Sequence, residues 1–124
     1  MAPQLNESIA FARPGGESCI PSRSRPVDLV HLARQTLGDR NVEQEVLGMF
    51  MQQLATVHER IVRADDGERR MLAHALKGSA RGIGAFAVAD CAGDIEETPG
   101  STALLARLAA LIDEVRDFVA AINR

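Results

Sequence analysis

Residues 74–85 have the sequence His-Ala-Leu-Lys-Gly-Ser-Ala-Arg-Gly-Ile-Gly-Ala, whose periodicity is that of a helix with two different faces. Successive residues of an α-helix are turned by about 100°, so positions three or four apart share a face. With His74 at zero, an opposite stripe at roughly 140° to 200° contains Leu72, Leu76, Ser79 and Ile83. We expect this mostly apolar stripe to face a core and His74 to face water.

The face of the predicted helix that carries His74 also carries positive charge and a glycine. Lys77 follows the histidine by three residues, and Arg81 follows it by about two turns, so both lie on its side. Gly78 is four residues on and leaves bare backbone directly beside the imidazole. The stretch therefore predicts an exposed imidazole flanked by cations.

Composition limits the class of protein. The chain has 124 residues, of which 46% are hydrophobic and only 3% aromatic, so we expect one small domain with an aliphatic core, as packed helices have. The formal charge of −3 gives no global attraction for nucleic acid or for an anionic membrane. We therefore expect neither as a partner.

The cysteines and the lengths of the apolar runs indicate in which cellular compartment the protein is expected. Cys19 and Cys91 are too few to form a disulfide framework, so both are predicted to be reduced thiols. No basic segment followed by an apolar one begins the chain, and the longest apolar run, residues 82–89, is far shorter than the ~20 residues of a membrane span. A soluble, cytoplasmic protein is expected.

The chain divides into a tail and one domain. Residues 1–25 are rich in proline, glycine and serine and lack periodicity, so they offer too little contiguous apolar surface to offset the entropy of ordering. They are predicted to be a flexible N-terminal tail that precedes a domain over residues 26–124.

Capping and breaking residues divide this domain into five predicted helices. They span about 27–37, introduced by Pro26; 41–64, capped by Asn41 with Gln44; 67–82; 85–97; and a last helix from the cap Ser101 to about 122. No segment alternates with period two, so no sheet is expected. The predicted fold is all-α, an antiparallel up-and-down four-helix bundle with a short additional N-terminal helix.

Apolar residues at spacings of three and four give each predicted helix a buried stripe. The positions expected to pack are Leu29, Val30, Leu32 and Leu37 in the first helix; Val46, Leu47, Phe50, Leu54, Val57 and Ile61 in the second; Val88, Cys91, Ala92 and Ile95 in the fourth; and Leu104, Leu108, Leu111, Val115, Phe118 and Ile122 in the last.

Three patterns typical of catalytic or nucleotide sites are incomplete. His58-Glu59 begins like the zinc-protease helix motif, but Val62 stands where the second histidine is required. Residues 82–87 match a loose dinucleotide fingerprint, yet a helix precedes them and not a strand. Lys77 does not follow a glycine-rich loop, so neither a P-loop nor an ATP site is predicted. No metal site is predicted, and the remaining histidines receive no role.

The chain resembles the histidine phosphotransfer (HPt) domains of multistep two-component relays. The residues that carry the resemblance are His74-Ala75-Leu76-Lys77-Gly78-Ser79-Ala80, then Gly84-Ala85, Cys91 and Ile95-Glu96, about 23 residues in register. The bundle pattern extends it from about residue 27 to the end. Gly82 and Ile83 occupy a variable linker, and the tail has no counterpart in the family.

The resemblance implies that His74 accepts a phosphoryl group from the aspartyl phosphate of a receiver domain and passes it to another receiver. Response regulator receiver domains and a hybrid histidine kinase are the implied partners, and the receiver brings its own acidic pocket and Mg²⁺. The chain itself would be a monomeric phosphocarrier and not an enzyme, with no bound cofactor. An exposed imidazole is partly neutral, and therefore nucleophilic, near pH 7 without an activating base.

The neighbours of His74 have expected supporting roles. Lys77 is the single lysine among fourteen basic residues, and its ammonium is expected to meet phosphate oxygens. Gly78 costs its helix about 1 kcal/mol relative to alanine, and the access that it gives a receiver surface would compensate. Arg70 and Arg81 are expected to contribute to partner docking.

Two other classes of function stay open at this point. A helical scaffold or inhibitor would bind a receiver or a histidine kinase without carrying phosphate. An enzyme with its site inside the bundle is disfavoured, because no paired carboxylates or metal ligands converge on the apolar stripes.

Overall fold

Five α-helices make up the part of the chain that the structure describes. The computed structural model describes residues 25–123, so the predicted tail, with Cys19, lies outside the described residues except for Arg25. The helices are α1, Leu29–Gln35; α2, Arg40–Arg63; α3, Asp66–Ile83; α4, Phe86–Glu97; and α5, Thr102–Ile122. Residues 25–123 contain no strand, which confirms the all-α class. None of the described helices is long and apolar enough to cross a membrane.

One core of aliphatic and small side chains lies between the helices, and most of the predicted stripe positions belong to it. The buried ones are Leu32 in α1, Leu47, Phe50, Leu54 and Ile61 in α2, Leu76 and Ile83 in α3, Val88, Cys91, Ala92 and Ile95 in α4, and Leu108 and Val115 in α5. Ile122 was wrongly assigned to the stripe of α5: it is exposed at the end of the helix, whereas Ile112 and Val119 are buried.

Helix α1 is shorter than predicted because a side chain starts it later and a turn ends it earlier. The carboxylate of Asp28 accepts hydrogen bonds from the backbone N–H groups of residues 30 and 31, so this residue, and not Pro26, marks the beginning. Leu37 has a φ of 55° and is 94% exposed. The packing predicted for Leu37 is therefore wrong, and so is that of the exposed Val30.

The N-terminus of α2 was predicted from the wrong residue. Asp39, and not Asn41, is the N-cap: its carboxylate Oδ1 accepts from the backbone N–H groups of Asn41 and Val42 at 2.9 and 3.2 Å. Aspartate and asparagine are both good caps, so two candidates two residues apart cannot be ranked by residue type alone. Ser101, in contrast, caps α5 as predicted.

The pair α3 and α4 has the most extensive contact between helices. Ala73 and Ala80 are buried in α3, and Ala89 and Ala92 are buried in α4; small side chains such as these let helix backbones approach closely. The buried stripe of α3 therefore includes two alanines that the prediction left out.

The structure contradicts the predicted position of Ser79 in the apolar stripe. Its side chain is exposed, and its Oγ accepts a hydrogen bond from Gln53 Nε2 at 3.0 Å across to α2. The buried stripe is centred on Ala73, Leu76 and Ala80, which turns Ser79 toward the flank.

Gly84 makes the tight connection between α3 and α4. It has a φ of 92°, in the left-handed region that favours glycine, and its carbonyl accepts from Asp28 N at 2.9 Å. A Cβ at this position would stand 2.9 Å from the backbone oxygen of Asp28. The glycine thus lets the chain pass from α3 to α4 close to the backbone of Asp28.

Candidate functional site

His74 lies in the middle of α3 on the side away from the buried stripe. Its side chain is 69% exposed, which confirms the orientation predicted from the helical period. Leu76 and Ala80, on the other side of the helix, are completely buried and hold α3 against its neighbours. The imidazole is therefore an exposed group on a firmly packed helix.

A carboxylate from α4 lies beside this imidazole and also contacts the lysine. Glu96 Oε2 is 2.8 Å from His74 Nδ1, and Glu96 Oε1 is 2.7 Å from Lys77 Nζ. Each oxygen of the carboxylate thus has its own partner, and both partners come from α3. One residue of α4 holds the histidine and the lysine together.

The environment of Glu96 keeps it ionised. Its pKa is lowered from the ordinary value of 4.5, first by the hydrogen bond from Lys77 and then by the hydrogen bond from His74. An ionised carboxylate only accepts hydrogen bonds, so the proton of this contact must be on Nδ1 of the imidazole. In the neutral ring the other nitrogen, Nε2, then has the free electron pair. The site therefore favours the neutral tautomer in which Nδ1 carries the proton and Nε2 does not.

The Lys77 side chain passes over a glycine in α4. Gly93 lies three residues before Glu96, and a Cβ there would stand 3.4 Å from Lys77 Cδ. The aliphatic stem of the lysine therefore crosses α4 over a position without a side chain, and only 23% of the lysine side chain is exposed. The lysine thus lies along α4, and its ammonium ends at the carboxylate of Glu96.

Gly78 lies in open space. No atom comes within 4 Å of a Cβ built at this position, apart from the helix's own backbone. Packing within the fold therefore does not require glycine here, although a helix-interior glycine is destabilising by about 1 kcal/mol relative to alanine. A partner that approaches the backbone next to His74 would require it.

The two arginines predicted to dock a partner differ in their positions. Arg70 lines a shallow surface pocket of about 380 Å³ together with Met71, His74 and Glu96, and its Nε donates to the backbone oxygen of Glu96 at 3.1 Å. Arg81 is exposed in the last turn of α3, where a positive charge complements the helix dipole, and it makes no ion pair within residues 25–123. The structure thus brings Arg70 to the histidine and leaves Arg81 apart.

Glu96 and Gly93 received no role from the sequence. Glu96 belongs to the family resemblance, but nothing in one sequence indicates which residue of another helix will face His74. The spacing within α4 could have pointed to these two residues. A glycine three residues before an acidic residue places a position without a side chain and a negative charge on the same face of the helix. This signal becomes specific only once α3 and α4 are known to pack together.

Other chemistry-bearing groups of the described chain lie elsewhere. His31 Nε2 is 3.1 Å from the backbone oxygen of Gly82, and its ring packs edge-on against Phe86 with centroids 5.2 Å apart, so it joins α1 to the end of α3 and the start of α4. Cys91 is a free, buried thiol whose pKa is raised by burial. Among residues 25–123 no three side chains of His, Cys, Asp or Glu are grouped as a metal would require.

A family model described as "Hpt domain" matches residues 45–118, which is more than half of the chain and includes the whole of α3 and α4. The matched range contains His74, Lys77, Gly78 and Glu96. Neither the comparison with curated proteins nor the comparison with solved structures finds a match.

We predict that Glu96 stabilises the fold at neutral pH and loses this contribution in acid. Because its pKa is lower in the folded than in the unfolded protein, the contribution is present above the ordinary value of 4.5 and disappears as the pH falls through the folded-state pKa. Urea denaturation of the wild type and of Glu96→Gln should therefore give curves of stability against pH that converge in acid.

Glu97→Gln is the matched control, because it changes the next carboxylate of the same helix end, which is exposed and outside the contacts of His74 and Lys77. If the difference in unfolding free energy between the wild type and Glu96→Gln stays constant down to about pH 3, the contacts of the carboxylate with His74 and Lys77 do not stabilise the fold.

Proposed function

Because this chain belongs to the Hpt domain family, we propose that His74 accepts a phosphoryl group from the aspartyl phosphate of one receiver domain and relays it to another receiver in a multistep two-component pathway. Hpt domains are phosphocarriers and not enzymes with ATP sites. The observation that carries the proposal is the contact of 2.8 Å between His74 Nδ1 and Glu96, on an imidazole that is exposed to a partner. Receiver domains and a hybrid histidine kinase are the proposed partners.

The chemistry of the transfer follows from the tautomer that Glu96 selects. The electron pair of Nε2 attacks phosphorus, the bond from phosphorus to the aspartyl oxygen breaks, and the aspartate leaves as a carboxylate. Nδ1 keeps its proton, so the ring gains positive charge as the new N–P bond forms. The carboxylate of Glu96 is already in place to stabilise that charge, and it does so without reorganisation. The same steps in reverse deliver the phosphoryl group to the next receiver.

Lys77 has two connected tasks in this proposal. One N–H of its ammonium is committed to Glu96 at 2.7 Å, which holds the carboxylate in the orientation that reaches the imidazole. An ammonium has three donors, so others are available for phosphoryl oxygens. The lysine thus contacts the carboxylate of Glu96, which supports the imidazole, and also the phosphoryl group that is transferred to the imidazole.

The partner supplies what the described site lacks. Phosphoryl transfer depends on positioning and charge neutralisation, and in this proposal the acidic pocket and Mg²⁺ come from the receiver. Gly78 lets the receiver approach the backbone beside His74, because nothing fills the space above it. Arg81, exposed on the same helix, is the proposed cation at the edge of the contact.

An apolar groove extends this contact surface along α3. It lies between α1, α2 and α3, has a volume of about 510 Å³, and is lined by residues that include Leu32, Val46, Met49, Phe50, Gly82 and Ile83. Met49 is 69% exposed at its rim, and such exposed apolar surface is typical of protein interaction sites. We include the groove in the receiver-binding surface.

The scaffold proposed for this function is an antiparallel up-and-down bundle of α2 to α5, with α1 as a short additional N-terminal helix and the chain acting as a monomer. The turns between α2 and α5 are only two to four residues long, and short connections favour antiparallel neighbours. A rigid bundle keeps the imidazole in one place while two different receivers approach it.

We predict that incubation with a phosphorylated receiver labels this protein with a phosphate that is stable in alkali and labile in acid. His74→Gln should abolish the label, because the nucleophilic nitrogen is lost. His58→Gln is the matched control and should be labelled like the wild type, since that histidine lies in α2 and has no contact with Glu96. Labelling that persists in His74→Gln would refute the assignment. Receiver binding without any label in the wild type would favour a scaffold or inhibitor.

We also predict that Gly78→Gln slows transfer by about tenfold to a hundredfold, because the new side chain holds the receiver away from in-line geometry. Its stability should equal that of the wild type or exceed it by up to about 1 kcal/mol, since the position is helical and open. A time course of phosphotransfer in quenched samples measures the rate, and thermal unfolding measures the stability.

Gly48→Gln is the matched control for this change. Gly48 is also an exposed helix-interior glycine with open space around it, but it lies in α2 on the side away from the apolar groove. It should gain similar stability and transfer at the wild-type rate. Equal transfer rates for both variants would contradict the role of Gly78 in access.

A further inference from the structure

Glu96 lies at the C-terminal end of α4. The last carbonyl groups of an α-helix have no hydrogen-bond partner within the helix. Glu96 is the second-last residue of α4, so its carbonyl is one of these groups. Arg70 Nε donates to this carbonyl at 3.1 Å. The backbone of the residue that holds His74 is thus itself held by α3.

The neighbouring arginine fixes the chain just beyond Glu96. Arg69 donates to four backbone carbonyls, those of Ile61, Val62, Ala64 and Pro99, at 2.7 to 3.2 Å. Three of them belong to the end of α2 and its turn, and the fourth belongs to the turn after α4. The segment that follows Glu96 is therefore tied to α3 independently of Arg70.

Three residues along one side of α3 therefore hold a single residue of α4. Arg70, His74 and Lys77 are spaced by four and three residues, which aligns them on the helix surface. Arg70 contacts the Glu96 carbonyl, His74 contacts Oε2 and Lys77 contacts Oε1. The first contact fixes the backbone from which the other two are reached.

We propose that Arg70 is a positioning residue, which holds the backbone of Glu96 so that its carboxylate keeps His74 in the tautomer with Nε2 unprotonated. This inference rests on the proposed function for its consequence in transfer, and it replaces partner docking as the main role of Arg70. The hydrogen-bond donor of the side chain, and not its charge, carries this role.

Glutamine and methionine separate the donor from the charge. The amide nitrogen of glutamine is as many bonds from Cα as Nε of arginine, so Arg70→Gln keeps a donor at that point and loses the charge. Arg70→Met has a similar length and has neither donor nor charge. Because Arg70 is exposed, both variants are expected to fold, which thermal unfolding checks.

The first readout needs no partner: nitrogen chemical shifts of the His74 ring in the unphosphorylated protein report the populations of its two tautomers. We expect Arg70→Gln to match the wild type and Arg70→Met to raise the Nε2-protonated population by about threefold to tenfold, the range of one hydrogen bond. Equal tautomer populations in all three proteins would overturn the proposal. An equal rise of the Nε2-protonated population in both variants would also overturn the proposal, because the charge of Arg70, and not its hydrogen-bond donor, would then determine the tautomer.

The second readout separates positioning from docking. With a phosphorylated receiver, Arg70→Met should lower the maximal transfer rate by about threefold to tenfold and leave the half-saturating receiver concentration near that of the wild type. A raised half-saturating concentration in both variants with an unchanged maximal rate would assign Arg70 to docking and overturn the positioning role. Tautomer shifts as expected in a protein that is never phosphorylated would instead refute the proposed function alone.

Discussion

The contact between the Glu96 carboxylate and two residues of α3 is the interaction on which the site depends. One oxygen meets His74 Nδ1 at 2.8 Å and the other meets Lys77 Nζ at 2.7 Å. This contact keeps the carboxylate ionised, determines which imidazole nitrogen carries the proton and prevents the lysine from moving freely. The exposed histidine is therefore not isolated but belongs to a hydrogen-bonded group of three side chains, His74, Lys77 and Glu96.

The bundle makes this contact possible through small residues. Buried alanines on both helices allow α3 and α4 to pack closely, and Gly84 allows the chain to turn back between them within two residues. Gly93 opens the space over which the lysine stem crosses. Small residues thus leave room for the contact between Glu96, His74 and Lys77, whereas the large aliphatic side chains hold the helices together.

Much of the fold, and one half of the site, could be predicted from the sequence. The helical period placed Leu76 in the core and His74 in water, because both statements concern a single helix. The N-cap of α2 was harder to predict, because Asp39 and Asn41 are both suitable caps. In the structure Asp39 is the cap. Ser79 was misplaced because a stripe estimated from angles alone did not count Ala73 and Ala80 as core residues. The role of Glu96 could not be predicted, because it depends on how two helices pack.

We propose that Glu96 makes Nε2 the atom of His74 that carries the phosphoryl group. Nitrogen-15 and phosphorus-31 NMR of the phosphorylated protein, with labelled histidine, would test it most directly, because coupling to phosphorus identifies the bonded nitrogen. We expect phosphorus to be bonded to Nε2 while a proton stays on Nδ1, next to Glu96. A phosphoryl group on Nδ1 would contradict it, since that nitrogen could then no longer donate to the carboxylate.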